Sequence, residues 1–500
     1  MIDLNPIQPI CIAGEWRAGG GDLYESLYPA TGEAVARLHA ASLEDVEEAM
    51  AGAHRAFRES GWAQRKPHER ATVLYRIAAL IRERSEELAQ LQRLDNGKPI
   101  RETRNLVASA AATFQFFAAA CETLEESITP SRGDFVSMSV YEPMGVVVAI
   151  TPWNSPIASE AQKLAPALAA GNAVVVKPAE ITPLAALALA RICDEAGLPR
   201  GLVSVLPGKG ALIGDALTRH PLARRVSFTG GTRTGKHIAR IAADKMMPVS
   251  LELGGKSPTM VLADADLDHA VAGVLYGIFS SSGESCIAGS RLFVASERYD
   301  EFMERLAAGA AALRVGDPAD ERTQMGPLIS ARHRESVERY VEMGVAEGGR
   351  LRTGGRTSPW RSLRSWLLLH PDHYRGAHQW RPPVPGRGLR PGAGGHAFRQ
   401  RRGPDRGGQR QLLRAGRRHL DPRLPARLAA RPRRAGRHRV DQHLQAVLHL
   451  HPLRRLARQR PGPRKGPPGD TPVHGAEEPL LGPERTAAGL GRQPLMRKTR

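Results

Sequence analysis

The stretch VVVAITPWNSPIASEAQKLAPALAAGNAVVVKPAE, residues 146–180, decides the fold. It contains two short apolar runs, Val146–Ile150 and Asn172–Val176, with a helical run, Ala161–Ala169, between them. Neither run alternates apolar with polar residues, so each reads as a strand buried on both faces. Going on toward the C-terminus, the alternation continues. Helices are expected at Leu184–Ala196, Leu212–His220 and Gly235–Ala243, and strands at Val203–Leu206, Arg225–Phe228 and Val249–Leu253. Strands that alternate with helices in this way predict a doubly wound α/β domain on a parallel sheet. Its ligand site is expected at the carboxyl ends of the strands. Toward the N-terminus, an extended segment spans Pro9 to Trp16. Ser42 and Asp45 have the spacing of a capping box that opens a helix to about Glu59. A second helix is expected from about His68 to Leu94, stopped by Asp95-Asn96-Gly97-Lys98-Pro99, and a third from Glu102 to Glu125.

Four successive strands end in polar or glycine-rich strings. These are Thr151-Pro152-Trp153-Asn154, Lys177-Pro178-Ala179-Glu180, Thr229-Gly230-Gly231-Thr232 and Glu252-Leu253-Gly254-Gly255-Lys256. Any one of them is ordinary loop composition. Four at one edge of one sheet point to a site. Cys286 lies downstream in Ser282-Gly283-Glu284-Ser285-Cys286-Ile287-Ala288-Gly289. A lone cysteine is usually an inert small hydrophobe. Here its neighbours are small and polar, which leaves room for a substrate, and a thiolate is the strongest nucleophile in the chain.

Together, Thr151–Asn154, Phe228–Gly231, Leu251–Lys256 and Gly283–Cys286 resemble the signature set of the NAD(P)-dependent aldehyde dehydrogenase superfamily, in its order and near its spacing. Asp95–Pro99 is similar to a further family segment. The resemblance covers about residues 8–355. It implies Cys286 as nucleophile, Asn154 as oxyanion donor beside the Cys286 N–H, and Glu252 as general base for the thiol or the deacylating water. It also implies that NAD is held by Thr151, Pro152, Trp153, Lys177, Glu180, Gly230, Gly231 and Gly235. Lys177 and Glu180 would bind the adenosine ribose, and a carboxylate at Glu180 disfavours NADP. Glycines at a helix start admit a pyrophosphate. Glu284 stands where many members carry Gln. The implied substrate is a small-molecule aldehyde. The implied reaction is oxidation to a carboxylic acid through a thiohemiacetal and a thioester. A CoA-acylating member is the competing enzyme, and Glu252 weighs against it because a hydrolytic base would be unnecessary.

Charge divides the chain in two. Of 71 basic and 51 acidic residues, 30 Arg, 2 Lys, 5 Asp and 3 Glu fall in 361–500, a net of +24. That leaves 39 basic and 43 acidic residues before them, a net of −4. The last 140 residues also hold 18 of the 38 prolines and no Ile, Asn or Cys. An Arg-rich nucleic-acid-binding tail is one reading. The genetic code supports another. With suitable codons, reading one base later turns Trp366–Tyr374 into GYFYTPTII and Pro385–Gly392 into QDEVFGPV. In the same way Gly408–Pro422 becomes ANDNSYGLAAGIWTR and Val440–Arg454 becomes WINTYKQFSISTPFG. All four strings resemble C-terminal motifs of the same family, in order. A frameshift between about Gly355 and Trp366 follows, and nucleic acid becomes an unneeded partner.

The expected organisation is a discontinuous NAD-binding domain (1–125 and 141–252), part of an oligomerisation arm (126–140) and the first half of an α/β catalytic domain (253–355). An Arg/Pro-rich tail (356–500), irregular or disordered, would follow. The intact family forms homo-oligomers, dimers or tetramers; the chain as written is expected to be inactive and not to assemble normally. No run of eighteen apolar residues is present, so no membrane span is expected. The opening MIDLNPIQPI lacks the basic and apolar regions of a secretory signal. Four scattered cysteines suit neither a disulfide framework nor a zinc site, so a reducing cytoplasm is expected.

Overall fold

In the computed structural model, residues 7–130, 133–134, 136–354, 366–369, 393–398 and 453–455 are described. The larger sheet has seven strands: β1 (Ile10–Ile12), β2 (Glu15–Arg17), β3 (Val146–Ile150), β4 (Ala173–Lys177), β5 (Val203–Val205), β6 (Ala223–Gly230) and β7 (Val249–Leu253). Their order is β7-β6-β3-β4-β5-β1-β2. The four pairings among β3 to β7 are parallel, and β1 and β2 close the edge antiparallel. Every residue of β3, β4 and β5 is buried. That is why these strands read as unbroken apolar runs. The chain runs outward from β3 through β4 to β5, then crosses to β6 and β7 on the other side. The reversal lies between β3 and β6, where an open α/β sheet forms its ligand crevice.

The helices are α1 (Leu43–Glu59), α2 (Pro67–Glu83), α3 (Ser85–Asn96), α4 (Ile100–Glu122), α5 (Pro156–Ala169), α6 (Leu184–Glu195), α7 (Asp215–Arg219) and α8 (Thr232–Asp244). Both bonds of the Ser42–Asp45 capping box are present at α1. The single helix expected over His68–Leu94 is instead α2 and α3. They are divided at Arg84, whose backbone (φ −100°, ψ 22°) leaves the helical region. The helix expected over Leu212–His220 is shorter. A wide turn over Gly210–Gly214 precedes α7, because two glycines do not hold a regular helix start. The main core runs from Ile10 to Met247 and takes in Trp62, whose indole N–H donates to the Leu168 carbonyl at 3.1 Å.

A second core runs from Val261 to Met325. It packs between α9 (Leu267–Phe279), α10 (Tyr299–Ala311) and a five-stranded sheet. The strands are β8 (Pro258–Val261), β9 (Arg291–Ala295), β10 (Arg350–Gly354), β11 (Trp366–Leu369) and β12 (Ala393–Phe398), in the order β8-β9-β12-β11-β10. A last helix, α11, spans Ala331–Ala346. Two of these strands, and a third at Leu453–Arg455 paired with Tyr141–Pro143, fall where irregular chain is expected. Strand pairing is made by backbone groups, which every non-proline residue carries whatever its side chain. The rest of that expected tail lies outside the described residues. No helix among those described is long and apolar enough to cross a membrane.

Candidate active site

The strand ends at the β3/β6 reversal and the loop after α9 make the site. Cys286 sits on that loop as an exposed residue. Burial nonetheless raises its thiol pKa most, and the Glu252 charge raises it further. Hydrogen bonds from the N–H groups of Cys286 itself and of Ile287 pull the other way. Exposed area and a partly desolvated sulfur coexist because the thiol lies against its own loop's amides. Those two amides also favour the thiolate.

Asn154 follows β3, and its Nδ2 donates to the Glu284 carbonyl at 2.7 Å. One amide hydrogen is thereby spent in fixing the side chain beside the Cys286 loop, and the other is left to donate. Glu252 is the exposed fourth residue of β7, in register with Thr229 of β6. Its charge acts on Cys286 and on buried Lys163 of α5. Lys163 Nζ donates to Ser227 Oγ at 3.1 Å, and burial pushes this amine down to about 8. Asn154, Glu252 and Cys286, far apart in sequence, are thus gathered at one place.

The expected cofactor residues divide. Gly231 is the N-cap of α8; no side chain caps that helix, and a Cβ there would meet nothing within 4 Å. An exposed, uncapped start of a 13-residue helix is a ready anion site. At Gly230 a Cβ would come within 2.6 Å of the Phe228 ring, so the glycine lets the strand end pass over that ring. Lys177, at the end of β4, is buried, donates to the Pro178 carbonyl at 2.7 Å, and is pushed down to about 8 by burial, against the pull of Glu180. Glu180 itself is exposed. Trp153 meets the His333 ring edge-on at 5.4 Å. Pro152, like Trp153, is half-buried.

Two of the expected residues face inward. The Thr151 hydroxyl donates to buried Glu160 at 2.9 Å, which leaves the residue its backbone to offer at the strand end. Gly235 is buried where α8 crosses β7, and a Cβ there would lie 2.6 Å from Leu253 Cδ2. Its role in the structure is to let helix and strand approach.

The sequence reading missed the support behind the Cys286 loop. Just before Cys286, Ser281 (φ 57°), Ser282 (φ 54°) and Gly283 (φ 75°) all take left-handed backbone. For the two serines this costs about 1–3 kcal/mol each. Below the turn, the Glu284 carboxyl is buried and accepts the Ile329 N–H at 2.9 Å. Burial pushes it up to about 7, against the opposing charge of Lys98. The signals in the sequence were the Asp95–Pro99 string and the carboxylate at Glu284.

The model of the aldehyde dehydrogenase family matches residues 16–370, and the chain belongs to that family. Betaine aldehyde dehydrogenase 1 of Rhizobium meliloti (strain 1021) is 47% identical over 349 residues, which are 69% of this chain and 70% of the relative. Among solved structures, the NAD+ complex of aldehyde dehydrogenase from Bacillus cereus is 33% identical with a TM-score of 0.76. It covers 83% of this chain and 82% of that one. Betaine aldehyde dehydrogenase from Staphylococcus aureus in complex with NAD+ is 32% identical with a TM-score of 0.75, covering 79% of each.

Proposed function

We propose that the intact gene product oxidises an aldehyde to a carboxylic acid with NAD. The observation that carries this reading is the convergence of Cys286, Asn154 and Glu252 beside an open, uncapped helix start. Cys286 passes its proton to solvent, and the thiolate sulfur bonds to the aldehyde carbon as the carbonyl π pair moves to oxygen. The carbonyl oxygen takes up the charge and is met by the free Asn154 N–H and the Cys286 N–H. Gly231 with the first turn of α8 would hold the pyrophosphate, and Lys177 with Glu180 the adenosine ribose. The oxyanion on the carbon bound to Cys286 re-forms its carbonyl as hydride leaves that carbon, which gives the thioester; NAD, when bound, would supply the hydride acceptor. Glu252 then takes a proton from the water that attacks the thioester carbon, the acid leaves, and the thiol is regenerated. The open space at Gly231 and the exposed Glu180 fit a dinucleotide. The relatives named as betaine aldehyde dehydrogenases make betaine aldehyde a reasonable first substrate.

The frameshift belongs to the same proposal. The family match stops at residue 370. Beyond it, a one-base shift restores four strings that resemble the family's C-terminal motifs in order, which supports a changed frame. The product as written lacks the family's C-terminal residues and is inactive. The hairpin Ser127–Thr129/Ser137–Ser139 exposes Ile128 (75%), Val136 (74%) and Met138 (61%), which supports its reading as an arm that docks on another subunit. Four free cysteines suit a reducing cytoplasm.

The test is a gene with its frame restored near codons 355–366. Its product should turn over aldehyde with NAD and release free acid, and Cys286→Ala should abolish this. Acyl-CoA formation in place of acid would transfer the chain to the acylating branch.

A further inference from the structure

The nucleophile loop is held by side chains that the reaction does not use. Gly97, with φ 71°, ends α3 and turns the chain so that Lys98 enters the interior, where it is among the largest fully buried side chains. Lys98 Nζ donates to the Ser281 carbonyl at 3.2 Å. From the first turn of α4, both Glu102 carboxylate oxygens accept the Ser281 N–H at 3.0 Å. Ser281 is therefore gripped on both sides by one short segment of sequence. Ser282 Oγ donates to the Gly326 carbonyl at 3.0 Å. The Glu284 side chain holds Ile329 while its carbonyl holds Asn154.

The charges facing Glu284 are Lys98 and Glu102 from the α3–α4 segment and His333 of α11, whose Nε2 is 3.7 Å away. Those acting on Lys98 are Glu284 and Glu102. A buried lysine is tolerated when carboxylates and carbonyls surround it in this way, and removing one member leaves the others uncompensated. A left-handed turn of two serines and a glycine persists only while its surroundings hold it.

We propose that Lys98, Glu102 and Glu284 form a clamp of positioning residues. It holds the Ser281–Gly283 turn and, through it, keeps the Cys286 thiol against the loop amides and beside Asn154. The proposal rests on the reading of Cys286 as nucleophile, but its test reads no turnover. The full 500-residue chain is treated with iodoacetamide from pH 6 to 9. The thiolate sulfur displaces iodide, and the proton passes to buffer. Peptide mass spectrometry follows the rate at each cysteine. Buried Cys11 and Cys193 report whether the fold persists.

Glu102→Ala and Lys98→Met should slow alkylation of Cys286 about tenfold at pH 7.5 and raise the midpoint of its pH profile by about one, because the thiolate loses its amide donors. Cys11 and Cys193 should stay protected. Glu102→Gln keeps an acceptor for the Ser281 N–H and should recover most of the rate. If Lys98→Met exposes the buried cysteines, the Glu102 pair decides, since that side chain is only half-buried. An unchanged Cys286 profile in Glu102→Ala, or no recovery in Glu102→Gln, overturns the clamp. Failure of dehydrogenase activity in a frame-restored protein would leave this result untouched.

Discussion

Replacing Glu284 by Gln should change how stability depends on pH. The carboxyl is buried and pushed from its ordinary 4.5 up to about 7, chiefly by burial. Below pH 4.5 the folded and unfolded chains both carry the proton. Between 4.5 and 7 the unfolded chain releases it while the folded chain keeps it, so stability falls as pH rises. Above about 7 the loss is complete. An interval of that width corresponds to about 3 kcal/mol. Glutamine does not titrate, and its carbonyl can still accept the Ile329 N–H. Urea unfolding of the 500-residue chain and of Glu284→Gln, at pH 5 and pH 8, isolates the effect. The wild type should lose up to about 3 kcal/mol more than the variant between the two conditions. If the two proteins lose stability in parallel, Glu284 is ionised in the folded chain throughout, and the account of its environment is wrong.

Further outcomes concern the site and its frame. Gly235→Ala should lower the unfolding midpoint through about 1–3 kcal/mol of overpacking against Leu253, partly offset by better helix propensity, and in a frame-restored enzyme should leave KM for NAD nearly unchanged. A large rise in KM would return Gly235 to the cofactor. In the same enzyme, Glu252→Gln should slow thioester hydrolysis at least as much as hydride transfer, read as a burst followed by slow turnover; unimpaired multiple turnover would make Glu252 structural. Glu180 should make kcat/KM higher with NAD than with NADP, and equal values would remove Glu180 from the ribose.

What the sequence made legible follows from burial. Strands β3 to β5 are buried on both faces, so their residues are continuous apolar runs with almost no other interpretation. Asn154 and Glu252 stood out in polar or glycine-rich strand-end strings and Cys286 among small polar neighbours, and the resemblance to the family joined them into one expected set. The break at Arg84 was not legible, since one residue's backbone angles leave no mark on apolar periodicity. Nor was the inward turn of the Thr151 hydroxyl, which depends on Glu160 being buried beside it. The clamp was hidden for a different reason. Lys98 and Ser281 are 183 positions apart, and a lysine reads as a surface residue until the fold buries it.

We propose that this member of the aldehyde dehydrogenase family has lost its reading frame between about Gly355 and Trp366. Loss of the frame is tested most directly by the initial rate of NADH formation, with betaine aldehyde among a panel of aldehydes, for the chain as written and for its frame-restored counterpart. The account predicts turnover by the restored protein, none by its Cys286→Ala variant, and none by the chain as written. Turnover by the 500-residue chain at a rate matching the restored protein would contradict it.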